Sequence, residues 1–158
     1  MSVSLYGSGQ TVVQVVQTVT STPFSTTSTS LTDITGLTAT ITPLSTSNKI
    51  LVQVVMTGGS TDTATIQTNL QLVRGSTSIA VGSSGTIYNG TAAFSNRSTG
   101  TQNMQTTGVN YLDSPATTSA TTYKMQGQLN TGTLYVNRDS AGGSGSISSI
   151  TLMEIAYV

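Results

Sequence analysis

The stretch Ile34–Met56, ITGLTATITPLSTSNKILVQVVM, decides the fold. In its first half Leu37, Ala39 and Ile41 fall on one face and Thr38, Thr40 and Thr42 on the other. Successive side chains of a strand point to opposite faces, so this period of two is that of a half-buried strand. Pro43 ends it, because proline has no N–H to give to a central ladder. In the second half Ile50, Val52, Val54 and Met56 align while Leu51 and Val55 fill the opposite face. That pattern predicts a central strand covered on both sides. Gly58-Gly59 then predicts a turn.

The same alternation extends outward to both ends of the chain. Beyond 34–42 and 49–56 it predicts strands over 11–20, 64–74, 77–81, 103–112, 121–129, 133–137 and 147–157. The last of these is apolar on both faces, with Ile147, Met153, Ile155 and Tyr157 on one and Ile150, Leu152 and Val158 on the other. It is expected to be central or to meet another subunit. Residues 82–100 hold little pattern and are expected as a long exposed loop; residues 139–145 form a second, Gly/Ser-rich one. Helical periodicity is nearly absent, and Glu occurs once, at Glu154. Eight to ten short strands joined by turn-rich loops predict an all-β, antiparallel β-sandwich of jelly-roll type, with a closed barrel as the alternative. Residues 1–20 are expected as an N-terminal attachment arm, extended over 11–20, and residues 21–158 as the sandwich domain.

Composition narrows the function classes. The chain has 158 residues, with 32 Thr and 23 Ser, so β-branched strand formers and turn formers dominate. There is no Cys, which removes disulfides, thiolate metal sites and thiol nucleophiles. There is no His, the usual general base near neutral pH and the commonest metal ligand. Five acidic and five basic residues leave a net charge of zero. No basic field exists to hold nucleic acid or an anionic membrane. A surface so poor in charge makes most sense when much of it is covered by partners. Met1–Gln10 has neither positive charge nor an apolar run, so no secretory leader is expected, and no stretch approaches the length of a membrane span.

Sites for chemistry are few. No two of the five carboxylates are close in sequence, and a Ser or Asp nucleophile would lack a histidine partner, so no catalytic residue is assigned and the chain is expected not to be an enzyme. Asp113 is expected to cap the turn before Pro115. Asp139 with the Gly/Ser loop is the one conceivable calcium ligand, but the spacing of a calcium loop is absent, and no metal or cofactor is assigned. Arg74, Arg97 and Arg138 are the only guanidinium groups. Each either pairs with a partner's carboxylate or is satisfied locally. In the arm, Leu5, Tyr6, Val12, Val13, Val15 and Val16 are the candidates for partner contact.

Five blocks carry a resemblance. They are STTSTSLTDITGLTATITPLSTSNKILVQV (Ser25–Val54), LQLVRGSTSIAVG (Leu70–Gly82), YLDSPATTSATTYKMQ (Tyr111–Gln126), TLYVNR (Thr133–Arg138) and SITLMEIA (Ser149–Ala156). In this order they resemble short virion proteins of tailed phages, frequent in phages of cyanobacteria. The resemblance implies a β-sandwich structural protein of the particle, labelled tail fibre in some members and capsid decoration or cement in others. It implies a partner in the major capsid protein, a homotrimer clamping neighbouring capsid subunits, assembly in the host cytoplasm and a final place on the outer surface of the phage head. The alternative function is a tail-fibre or receptor-binding adhesin for a host glycan, with Tyr88 and Phe94 of loop 82–100 as the aromatic groups that would stack on sugar.

Overall fold

The computed structural model describes residues 9–60, 67–83, 89–94 and 104–157. These residues contain no helix. They form ten strands: β1 (Gln10–Thr20), β2 (Phe24–Thr26), β3 (Thr32–Ile41), β4 (Lys49–Ser60), β5 (Thr68–Arg74), β6 (Thr77–Ile79), β7 (Gln105–Asp113), β8 (Thr121–Leu129), β9 (Leu134–Val136) and β10 (Ser148–Tyr157).

All strand pairs are antiparallel and fall into two sheets. The smaller has the order β3-β8-β5-β6. In the larger, β1 pairs with β10 and β2 with β9, while β10 and β9 lie one after the other along one side of β4 and β7 lies along the other. That sheet is therefore four rows wide. The chain enters the larger sheet with β1, crosses to the smaller with β3, returns with β4, crosses for β5 and β6, returns with β7, crosses with β8 and closes with β10. This is the path of a jelly-roll sandwich.

Period-two alternation builds the core between the sheets. From the larger sheet come Ile50, Val52, Val54, Met56, Ile150 and Leu152; from the smaller come Leu37, Ile41, Leu70, Leu72, Tyr123, Met125 and Leu129, all buried. Removing a Leu or Ile side chain from water contributes roughly 1.5–3 kcal/mol, so this cluster is the principal favourable term in the fold.

Four expectations need correction. Gly58-Gly59 is not a turn: β4 runs on to Ser60, with Gly58 paired to Val136 on one side and Gln105 on the other. A Cβ at Gly58 would collide with the Tyr135 carbonyl, so glycine here lets β9 approach. The outer face of β4 is not covered, since Val55 is 49% exposed. Loop 82–100 is not wholly exposed: Phe94 lies in the core at 2% exposure, fixed by mutual bonds with Thr68 (Thr68 Oγ1 to Phe94 O, 2.6 Å; Phe94 N to Thr68 Oγ1, 2.8 Å). Finally, the described part of the expected arm, from Gln10 on, is an edge strand of the larger sheet, paired with β10 from Gln10–Tyr157 to Thr20–Ser148.

Candidate interaction surface

The register of the larger sheet places its outward side chains in rows that cross all four strands. Val15 stands beside Met153, Met153 beside Leu51 and Leu51 beside Leu112, an apolar row spanning the sheet. Val15 is 57% and Leu112 50% exposed. The next row is polar and uncharged: Gln17, Thr151, Gln53 and Asn110. It is knit by bonds from Gln17 Nε2 to Thr151 Oγ1 (2.9 Å) and from Gln53 Nε2 to Asn110 Oδ1 (3.0 Å). A third row brings Val19, Ser149, Val55 and Gly108 together. Toward the other end Val12 meets Ile155, and Ile155 meets Lys49.

Of nine large apolar side chains exposed among the described residues, Val12, Val13, Val15, Val19, Val55 and Leu112 belong to this one sheet. Scattered surface apolar groups are ordinary, but a contiguous band marks a contact surface. Lys49 stands at its margin with its ammonium donating to Ser114 Oγ at 2.6 Å. The sheet's two carboxylates near these rows, Glu154 and Asp113, are buried instead. Glu154 accepts from Leu44 N (2.7 Å) and Asn48 Nδ2 (2.6 Å). The surface is thus apolar and amide-bearing across its three full rows, with Lys49 as the charge at its margin.

Both described arginines are satisfied within the chain. Arg74 Nη1 donates to Asp113 Oδ1 and Oδ2 at 2.9 and 2.8 Å, and the Tyr123 hydroxyl donates to the same Oδ2 at 2.6 Å. Arg74 and Tyr123 are cross-strand neighbours in the smaller sheet, and Asp113 ends β7 in the larger. The trio therefore clamps the two sheets together at one end of the sandwich. Burial, then the bond to Asp113, pushes the Tyr123 phenol far above its ordinary range. Asp113 is not the turn cap expected of it; its carboxylate is buried and paired. Beside the clamp a groove of about 360 Å³ is lined by Arg74, Pro115, Thr117, Ser119 and Thr121, offering hydroxyls around a guanidinium that is already engaged. Arg138 donates from Nε to the Asp139 carbonyl (3.1 Å) and lies 5.2 Å over the Tyr135 ring.

The Gly/Ser loop folds back over the Asp139 carboxylate. Gly143 N donates to Asp139 Oδ1 at 3.0 Å. Burial pushes the Asp139 carboxyl up, but N–H groups of Gly142, Gly143 and Ser144 and the Ser144 hydroxyl outweigh it and hold the carboxyl below its ordinary value. Among the described residues no group of three His, Cys, Asp or Glu comes together.

Of the residues expected to meet a partner, Val12, Val13 and Val15 are exposed on β1, while Val16 turns inward and packs against the core. Arg74 is engaged by Asp113, and Arg138 by the Asp139 carbonyl and the Tyr135 ring. Leu5, Tyr6 and Arg97 lie outside the described residues, as does Tyr88. The sequence reading missed Leu51, Val55, Leu112 and Met153 as one surface. The signal was there in the double-faced apolar pattern of 49–56, read as burial on both sides. No protein-family model matches the chain, and no curated protein sequence matches it either.

Proposed function

We propose that this chain is a non-enzymatic structural protein of a phage particle, a decoration or cement protein on the outer surface of the head that bridges capsid subunits. The observation that carries the reading is the apolar row Val15–Met153–Leu51–Leu112, which crosses the whole larger sheet without a charged side chain. A sandwich presenting one broad face with so little charge suits repeated attachment to a shell. Many modest contacts, multiplied over neighbouring subunits, give a high avidity without any tight single site. The sequence blocks resembling virion proteins supply the particle. The partners would be the major capsid protein and further copies of this chain.

The adhesin alternative has less to stand on. Phe94, one of its two aromatic groups, is committed to the core and has no face left for a sugar.

Gold-labelled antibody against this protein, imaged on purified virions, tests the reading. Label spread over the icosahedral head is expected. Label confined to the tail tip or fibres would overturn it in favour of receptor binding.

A further inference from the structure

We infer that β1 is a self-association strand: two copies of this chain pair antiparallel along their β1 edges, about a two-fold axis at Gln17, joining their larger sheets into one. The inference does not depend on the particle reading.

An edge strand presents a row of N–H and C=O groups that pair with any strand brought alongside. Proteins that keep such an edge solitary shorten it, place Lys or Pro along it, or bend it with a bulge. β1 has only the last of these. It is eleven residues long, QTVVQVVQTVT, with no charge and no proline. Its single irregularity, a bulge between Val12 and Gln14, lies near one end. Among the described residues, its backbone pairs only with β10.

The occupant that fits is a second copy. A contact between identical surfaces brings each charge against its own kind, and this strand has none to oppose. Its side chains also choose the register. On the outward face stand Val15, Gln17 and Val19, with Val15 and Val19 57% and 54% exposed. In an antiparallel pair centred on Gln17, Val15 faces the second copy's Val19, Val19 faces its Val15, and Gln17 faces Gln17. Two β-branched pairs and an amide pair form across the seam. A centre one position away on the same face, at Val15, would set Val15 against itself and leave Val19 opposite Thr11. The Gln17 centre also joins the exposed rows of the two larger sheets end to end across eight strands. A two-fold contact of this kind is self-complementary and closed, so it stops at two copies.

The chain has no cysteine, which makes cross-linking a clean test. Residues facing one another in an antiparallel pair have Cα atoms about 4.5–5.5 Å apart, within the range of a disulfide. Under mild oxidation Gln17→Cys should give a covalent dimer. Val15→Cys and Val19→Cys should each fail alone and cross-link when mixed. The exposed Leu44→Cys serves as the control. Sedimentation of the full-length chain should show a monomer–dimer equilibrium, weakened about tenfold in the Val15→Lys/Val19→Lys variant by its two like-charge pairs. A Gln17→Cys variant that cross-links no faster than the control would overturn the inference. So would a wild-type chain monomeric at every concentration, or an assembly, three-fold or otherwise, indifferent to the paired lysines.

Discussion

Tyr123 and Asp113 belong to different sheets, and the phenol of the one donates to the carboxylate of the other at 2.6 Å with both residues buried. Arg74 closes the arrangement from the smaller sheet. Asp113→Ala leaves the buried Tyr123 hydroxyl without its acceptor, while the freed Arg74 guanidinium is partly exposed to water. It should therefore lower stability by about 1–3 kcal/mol, and Tyr123→Phe, which leaves Arg74 and Asp113 paired, by about 1 kcal/mol. Urea midpoints of the two variants against the parent check the order.

The same hydroxyl predicts an alkaline limit. Its folded ionisation lies well above the ordinary 10.0, so the unfolded chain loses this proton first as pH rises. Stability from this group is complete below pH 10.0 and declines as pH climbs beyond it. Thermal unfolding followed from pH 8 to 11, values chosen to bracket the ordinary phenol range, should show a fall in the parent that is shallower in Tyr123→Phe.

On the acid side the sign reverses. Asp33 is held below its ordinary 3.8, first by the bond from Lys124 and then by that from Gln126. Asp139 is held down by its own loop. Their contributions are present above pH 3.8 and are lost as pH falls through the depressed folded values. The Asp33 pair is exposed and salt-screened. Asp33→Asn should thus blunt the acid limb slightly at low salt and leave it unchanged at high salt, while Asp139→Asn should blunt it at both.

Phe94 is a core residue delivered by a segment rich in Gly, Ser and Thr. Phe94→Ala should cost about 3–5 kcal/mol, as large as a substitution in the central strands. A denaturation curve no different from the parent would show that the segment does not seal the core.

Val55 and Leu112 lie on the outer face and carry little of the fold. Val55→Lys and Leu112→Lys should each leave stability within about 0.5 kcal/mol of the parent. The same variants should attach to depleted particles at least about tenfold more weakly, since each places an unpaired ammonium in a contact that would be desolvated. Saturation binding to particles, with circular dichroism as the folding control, measures both.

The strands were readable because period two is a local property. Ile50, Val52, Val54 and Met56 announce an inward face by themselves, and Leu37, Ala39 and Ile41 another. What escaped depends on register between distant strands. Arg74, Asp113 and Tyr123 come from three strands, and nothing in their spacing brings them together. Glu154 shares parity with Ile150 and Leu152, which points it inward, and the groups that satisfy its charge there, Asn48 and Leu44 N, lie over a hundred positions away. Phe94 sits in a segment rich in Gly, Ser and Thr, where composition speaks for solvent and no alternation singles it out. The apolar outer face was visible as residues but not as a surface. Leu51, Leu112, Met153 and Val15 become neighbours only after four strands are aligned.

The pairing of β1 with β10 also sets a timetable. Gln17 and Thr151 are 134 positions apart, yet they are adjacent in the finished sheet. A growing chain makes β1 long before its mate, so during synthesis the valine-rich strand waits without β10. Chains whose contacts are this remote close large loops before they gain from them and fold slowly, in roughly milliseconds to seconds. Throughout that interval the segment is open to other nascent chains on the same message. Slowing elongation lengthens that interval, and should change the yield of properly closed sandwiches more than it changes their final stability.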